Sequence, residues 1–318
     1  MKPAPFAYVA PTSLAEALDV LASSVASAGA GAGQGVTKVL AGGQSLLPLM
    51  SMRLVTPDRL VDINRLTELA TVSVEPAGAP GQPAGVRIGA LARHAAVAAD
   101  PAAKVVQPLI AEALGLVAHP TIRNRGTTVG SIVHADPAAE MPAVLALLGG
   151  TVEAVSADTG RRCIAGQDLY VGPLETALRP DELVTAAWLP ATPPTTGTAI
   201  TEVSRRHGDY ALVGVAAAVG LDDDLRVASA RAAYFSVDVV PLVLDLTEPV
   251  AAMTYDAADW AAAARLAQAG TDPEADIHAS ADYRRHLVGV LTVRALRSAA
   301  ARAAGTGEHA PTTERARR

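Results

Sequence analysis

The chain has 318 residues, enough to bury a sizeable core and to form two packed units. Its 26 basic and 32 acidic residues leave a formal net charge of -6, which argues against a general nucleic-acid surface and requires any bound anion to be neutralised locally. Cys163 is the only cysteine, so the chain cannot form an internal disulfide, a CxxC pair or an iron–sulfur cluster of its own.

The first residues, MKPAPFAYVAP, show no charged region followed by an apolar stretch, and no uninterrupted apolar run of about 18 residues occurs. Neither secretion nor membrane spanning is indicated, and a cytoplasmic protein without a transmembrane segment is expected. Ser13 followed by Glu16 forms a capping-box pattern ahead of Leu14, Ala17, Leu18 and Leu21, predicting a helix over about 13–24 that the Gly/Ala run at 28–35 breaks. VTKVLAG at 36–42 and RLVDI at 59–63 read as strands, with the apolar SLLPLMSMRL between them suited to pack beneath a sheet. ATVSVE and GVRIGA read as short strands joined by the exposed loop PAGAPGQPAG, and helices follow over about 93–118. MPAVLALLGG reads as a helix stopped by Gly149 and Gly150, and TVEAVSADTGRRCIAG as a hairpin turning at 158–160. A boundary is expected near Arg179.

From Asp181 onward LVTAAWLP, ALVGVAAAVGL and RVASARAAYFSV read as strands, with Asp222 to Asp224 as a turn, followed by helices at about 256–269 and 281–304. In the last helix Leu287, Val290, Leu291 and Leu296 make an apolar stripe, with Arg284, Arg285, Arg294 and Arg297 expected mostly outside it. The polar tail GTGEHAPTTERARR is expected to be disordered.

Two glycine-bearing stretches carry the chemistry. In AGGQSLLP the glycines follow a strand directly, where the absence of Cβ lets a ligand approach the backbone, and a following helix start would favour an anion such as a pyrophosphate. The pattern is neither GxGxxG nor GxxxxGK[ST], so it indicates neither a Rossmann nor a P-loop site, and an ordinary turn is an open alternative. HPTIRNRGTTVGSIVHADPAAE, from His119 to Glu140, crowds Arg123, Asn124, Arg125, Thr127, Thr128, Ser131, His134, Asp136 and Glu140 into an otherwise apolar chain. Such groups, buried without partners, cost about 1 to 3 kcal/mol each, so they require a polar ligand or water. In the alternative reading this is a solvent loop in which Arg123 and Arg125 are hydrated. His134, Asp136 and Glu140 do not have the spacing of a helical zinc site such as HExxH.

AGGQSLLPLMSMRL together with TIRNRGTTVGSIVHADPAAEMPAVL resembles the flavoprotein (medium) subunit of the molybdenum hydroxylases, the family of carbon monoxide dehydrogenase, xanthine dehydrogenase and bacterial N-heterocycle hydroxylases. The likeness extends through DLYVGPLETAL at 168–178, RRHGDYALVGVAAAV at 205–219 and DYRRHLVGVLTVRAL at 282–296. The resemblance implies an α+β chain: a two-part FAD-binding domain of the vanillyl-alcohol-oxidase/PCMH type over 1–179, with subdomains of about 1–60 and 61–179. A smaller α+β domain over 180–304 follows, with an antiparallel sheet and helices on one face. It also implies FAD bound by Ala41, Gly42, Gly43, Gln44, Ser45 and Leu46 in the first loop and by Gly126, Thr127, Thr128, Gly130 and Ser131 in the second. Asp136, Glu140 and Leu178 join the implied cofactor contacts, Glu140 as a hydrogen-bonding partner of the flavin's sugar-like chain. Tyr210 is implied near the isoalloxazine ring, with a half-buried strand tyrosine as the alternative.

In that family electrons pass from a molybdenum cofactor through 2Fe–2S clusters to FAD. The resemblance therefore implies partners: a small iron–sulfur subunit and a large molybdenum-cofactor subunit, assembled as a dimer of heterotrimers, with no catalytic residue and no metal ligand on this chain. The other readings are a stand-alone FAD-dependent oxidoreductase acting on a small substrate, and an assembly module that has lost its flavin. The chain departs from the family pattern at two residues. Val129 replaces a glycine, where a positive φ would be penalised for a β-branched side chain. Glu202 stands four residues before Arg206, where several relatives have a lysine, and its charge is expected to disfavour the reduced flavin.

Overall fold

The computed structural model describes residues 2–29, 36–78, 83–307 and 312–315. The first elements are β1 (Ala7–Val9), α1 (Leu14–Gly29), β2 (Thr37–Leu40), α2 (Leu46–Ser51) and β3 (Arg59–Asp62). β3 runs parallel to both β1 and β2 in a small sheet of order β1-β3-β2. The Ser13 hydroxyl caps α1 by accepting from the Glu16 amide at 3.2 Å, and the Glu16 carboxylate accepts from the Thr12 amide at 2.8 Å. This signal fixes the helix start, and Ala17, Leu18 and Leu21 are buried on its inner face. α2 differs from the expectation that its whole segment packs beneath the sheet. Met50 is buried, but Leu47, Met52 and Leu54 are exposed, because six residues form too short a helix to turn every apolar side chain inward.

The chain continues through β4 (Val72–Glu75), β5 (Gly85–Gly89), α3 (His94–Ala99), α4 (Pro101–Val106), α5 (Pro108–Leu116), α6 (Pro120–Arg123), α7 (Thr128–His134) and α8 (Glu140–Leu148). β6 (Thr151–Ser156), β7 (Gly160–Ala165), α9 (Gly166–Leu169), β8 (Tyr170–Gly172), β9 (Glu175–Thr176) and β10 (Leu183–Pro190) follow. The expected hairpins form: β4 pairs antiparallel with β5, and β6 with β7. Residues 79–82 of the loop between β4 and β5 lie outside the described residues. Gly149, with φ 67°, ends α8 in the left-handed conformation that its sequence signalled.

The unit boundary needs correction. LVTAAWLP reads as part of the second unit, but β10 pairs antiparallel with both β5 and β6 and is an inner strand of the five-stranded sheet β4-β5-β10-β6-β7. The chain therefore crosses between Pro190 and Thr196 rather than near Arg179. An almost uniformly apolar strand gives no period to show which sheet it joins.

The second sheet has the order β14-β13-β12-β11-β15, formed by β11 (Thr196–Ser204), β12 (Ala211–Leu221), β13 (Val227–Phe235), β14 (Leu242–Asp245) and β15 (Thr312–Arg315). α10 (Trp260–Ala269) and α11 (Ala281–Ala303) share a core with one of its faces. Ile200, Ala216, Ala233 and Phe235 on its other face join the core of the first unit, so this sheet lies between the two packings. Residues 312–315 of the tail, expected to be disordered, run as a strand parallel to β11, and residues 308–311 and 316–318 lie outside the described residues. Arg284 also differs from expectation. It is buried, donates to the Leu212 and Ser236 carbonyls and pairs with Asp276 at 2.6 Å.

Candidate functional site

The two glycine stretches meet backbone to backbone. A Cβ at Gly42 would lie 2.6 Å from the Arg125 carbonyl oxygen, 2.7 Å from the Gly126 Cα and 2.9 Å from the Thr127 amide nitrogen. Only glycine permits this approach, which brings Ala41 to Leu46 against Gly126 to Ser131. Gly43 takes φ 72° at the turn into α2, and Gln44 folds its amide back onto the Gly42 carbonyl at 3.1 Å.

The second stretch is largely helical rather than a loop. Thr127 is the N-cap of α7, and its hydroxyl accepts from the Gly130 amide at 3.1 Å. The Thr128 amide donates to the Ala92 carbonyl at 3.1 Å, so not every amide of this turn faces a ligand. Val129 is the second residue of α7, 2 % exposed within the first core, and its φ is not positive. This corrects the expected strain: an αR position has a pocket for a valine side chain, and the substitution lends no support to a chain that has lost its flavin.

Four residues that the sequence did not single out hold the loops in place. Asn64 follows β3 and donates from Nδ2 to the Ala41 carbonyl at 2.8 Å. Arg93 donates to Asn64 Oδ1 at 2.7 Å and to the Arg125 carbonyl at 2.6 Å, linking the first loop to the second. Asp62 accepts from Asn64 Nδ2 at 2.6 Å and from the Tyr8 hydroxyl at 2.6 Å; burial opposes its charge, but these bonds hold its carboxyl below the usual range. His94 packs against Gly126 and contacts the Thr128 hydroxyl through Nδ1 at 3.3 Å, while burial and the nearby Arg123 push its pKa down to about 4. A neutral ring therefore supports the second loop. Arg123 donates to the Val117 and Ala118 carbonyls at 2.8 and 3.1 Å, so it braces the chain rather than being merely hydrated. No short sequence pattern marks a residue that bonds two distant loops.

Beyond α7 the chain turns through Ala135, at φ 55°, into an Asp136 turn in which the carboxylate accepts from the Ala138 amide at 2.9 Å. Glu140 opens α8, where a helix N-terminus favours a carboxylate. The Ser236 amide donates to the Pro137 carbonyl at 2.8 Å, bringing the end of β13 to this turn. Tyr210 is 66 % exposed overall, with its hydroxyl against Asp136; desolvation of that end and the carboxylates of Asp136 and Glu140 push the phenol up to about 12. His207 contacts His119 edge to face at 6.3 Å, so the loop over 205–210 closes onto the start of the His119–Glu140 stretch. Leu178 is the outlying site residue, packed on the core of the first unit beyond β9. Among the described residues no group of three or more His, Cys, Asp or Glu could hold a metal ion, and no helix is long and apolar enough to cross a membrane.

Glu202 requires a second correction. It is 1 % exposed on β11, and burial followed by the charge of Glu140 pushes its carboxyl well above the usual range. Both causes favour the protonated acid over the carboxylate at this position, which weakens the expected repulsion of negative charge.

Residues 4–192 match the FAD binding domain in molybdopterin dehydrogenase, and residues 198–299 match the CO dehydrogenase flavoprotein C-terminal domain. The 6-hydroxypseudooxynicotine dehydrogenase complex subunit alpha of Paenarthrobacter nicotinovorans is 38 % identical over 97 % of this chain and 99 % of its own length. The carbon monoxide dehydrogenase medium chain of Afipia carboxidovorans is 34 % identical over 95 % of this chain and 99 % of its own. Among solved structures, a chain of carbon monoxide dehydrogenase from Hydrogenophaga pseudoflava superposes with a TM-score of 0.84 at 33 % identity, covering 95 % of this chain and 99 % of that one.

Proposed function

The chain belongs to the FAD-binding medium subunits of the molybdenum hydroxylases, and from that premise we propose that it holds FAD in the cleft between its two glycine stretches and serves as the electron-transfer station of a heteromeric enzyme. The observation that carries the cofactor site is the contact of Gly42 with the backbone of Arg125, Gly126 and Thr127, which turns two separate sequence stretches into one cradle. The donor set suits the group: amides and hydroxyls at the glycine turns for a pyrophosphate, and carboxyl groups at Asp136 and Glu140 for a polyhydroxyl chain.

When bound, FAD supplies the redox chemistry, accepting electrons singly and releasing them in pairs. The residues of this chain position and insulate it. Asn64 and Arg93 fix the spacing of the two loops, and neutral His94 supports the second from below. We assign the cradle to Ala41 to Leu46 and Gly126 to Ser131, the neighbourhood of the ring to Tyr210, and a further cofactor contact to Leu178. Substrate oxidation is left to other chains, which agrees with the single cysteine of this one. We assign those chains as a small iron–sulfur subunit and a large molybdenum-cofactor subunit, assembled in the cytoplasm as a dimer of heterotrimers. The relatives are themselves named as a subunit or medium chain and match this chain almost end to end, which favours this reading over a stand-alone oxidoreductase.

Co-expression with the neighbouring coding sequences tests the proposal. The chain is expected to co-purify with a cluster-bearing and a molybdenum-bearing partner, in a complex that shows a flavin spectrum. A correctly assembled complex without flavin absorbance contradicts it.

A further inference from the structure

Three non-glycine residues in the left-handed region meet at one turn of the cleft. Ala135, at φ 55°, leads into the Asp136 turn. Leu174, at φ 59°, donates its amide to the Ala135 carbonyl at 2.9 Å, and Ser236, also at φ 59°, donates its amide to the Pro137 carbonyl at 2.8 Å. Such a conformation costs about 1 to 3 kcal/mol per residue and persists only where the surrounding structure fixes it from several sides. At Ser236 the second anchor is Arg284. Its guanidinium, near the start of α11, donates through Nη1 to the Ser236 carbonyl at 3.0 Å and to the Leu212 carbonyl at 2.5 Å, while Nη2 pairs with Asp276 at 2.6 Å. Arg284 is 7 % exposed, so the clamp lies inside the molecule. Asp276 is fixed in turn, its Oδ1 accepting from the His278 and Ala279 amides at 2.8 and 2.9 Å. Leu212 is the second residue of β12 and stands two places after Tyr210, and Ser236 directly follows β13. Gly214 pairs with Phe235, so both clamped carbonyls lie at the same end of the second sheet.

We propose that Arg284 is a positioning residue for the flavin cleft: from α11 it fixes the start of β12, which follows Tyr210, and Ser236, which holds the turn bearing Asp136, and so sets these two groups against each other across the seam between the units. The inference rests on the FAD reading above. One planar guanidinium carries enough donors in a fixed fork to serve two carbonyls and a carboxylate at once, whereas a lysine ammonium is a compact point donor on a flexible stem. With Lys at 284, Ser236 loses one of its two backbone anchors, and the left-handed conformation that aims its amide at Pro137 is free to relax. Tyr210 is mostly exposed, so packing does little to hold it and the path of its backbone decides where the ring stands. Arg284 touches neither Tyr210 nor Asp136; it acts through the Leu212 and Ser236 carbonyls.

Fluorescence titration of the full-length chain with FAD, run as a double-mutant cycle, tests this role. Arg284→Lys is expected to bind FAD about fivefold more weakly than wild type, but to add less than about a twofold loss beside Tyr210→Phe, because the hydroxyl it positions is then gone. The same fold-loss in both backgrounds, as a merely structural role would give, or no loss in either, overturns the inference and leaves the FAD reading intact. Asp276→Asn, at the exposed partner of the clamp, decides the question by the same cycle where Arg284→Lys fails to fold, with an expected loss of about threefold. Hydrogen exchange of the cofactor-free chain gives a reading independent of flavin: the Ser236 amide is expected to exchange at least about tenfold faster in Arg284→Lys, and an unchanged rate overturns the inference whatever the titration shows. Absence of FAD binding by wild type and by its assembled complex overturns the FAD reading and, with it, a cofactor role for Arg284.

Discussion

At Gly42 the Arg125 carbonyl, the Gly126 Cα and the Thr127 amide occupy the space a methyl group would need, and all three are backbone atoms that cannot rotate away. Gly42→Ala must therefore separate the two loops by several tenths of an ångström. The variant is expected to bind flavin at least about tenfold more weakly, a loss of about 1.4 kcal/mol, read as a lower flavin-to-protein absorbance ratio in the purified complex. Unchanged flavin content would show that the loops do not share the cofactor. The polarity of this site was legible at residue scale, because hydroxyls, carboxylates and glycines stand out in an apolar chain. The raised proton affinity of Glu202 was not: sequence records a glutamate, whereas its affinity for a proton depends on burial and on Glu140, 62 positions earlier in the chain.

Between elements, side chains that read as surface residues carry much of the connection. Asn64, at the end of β3, and Arg93, ahead of α3, bind Ala41 to Arg125 through three hydrogen bonds. Asn64→Ala removes the middle of that strap and is expected to reduce flavin affinity by about 1 to 3 kcal/mol while the far-ultraviolet spectrum stays native. Full flavin retention would show that the loops hold their spacing without it. α11 is tied to α5 by Arg302 and Glu112, both buried, at 2.8 Å. Glu112→Ala removes a carboxylate partner from the buried Arg302 guanidinium and is expected to cost about 3 to 5 kcal/mol of stability, measured as a lower denaturation midpoint. A midpoint within experimental error of wild type would mean that solvent reaches Arg302. Helical periodicity revealed the stripe of Leu287, Leu291 and Leu296 but treats every arginine as an outside residue, so Arg284 and Arg302 were invisible as interior ones. The start of α7 was hidden in the same way, since TTVGS has glycine and threonine where a helix is usually not sought.

Across the whole molecule, the order of elements was readable from capping, glycine stops and alternation, and five separated stretches carried the family likeness. The assignment of strands to sheets was not readable. β10 lies in the first sheet although it follows a Pro-containing stretch, and β11, with its mixture of Thr, Gly and Glu, gave no strand pattern even though it is an inner strand of the second. Long-range pairing decides both, and local sequence does not record it. The resulting architecture places the second sheet between α11 and the first unit. The glycine cradle and the strap both serve one claim, that this chain carries FAD. Releasing the cofactor by denaturation from wild-type and Gly42→Ala complexes, and quantifying it per copy of this chain, tests that claim most directly. About one FAD per chain in wild type and about half of that or less in the variant is the expected result; a wild-type complex with no FAD, or equal amounts in the two, would contradict it.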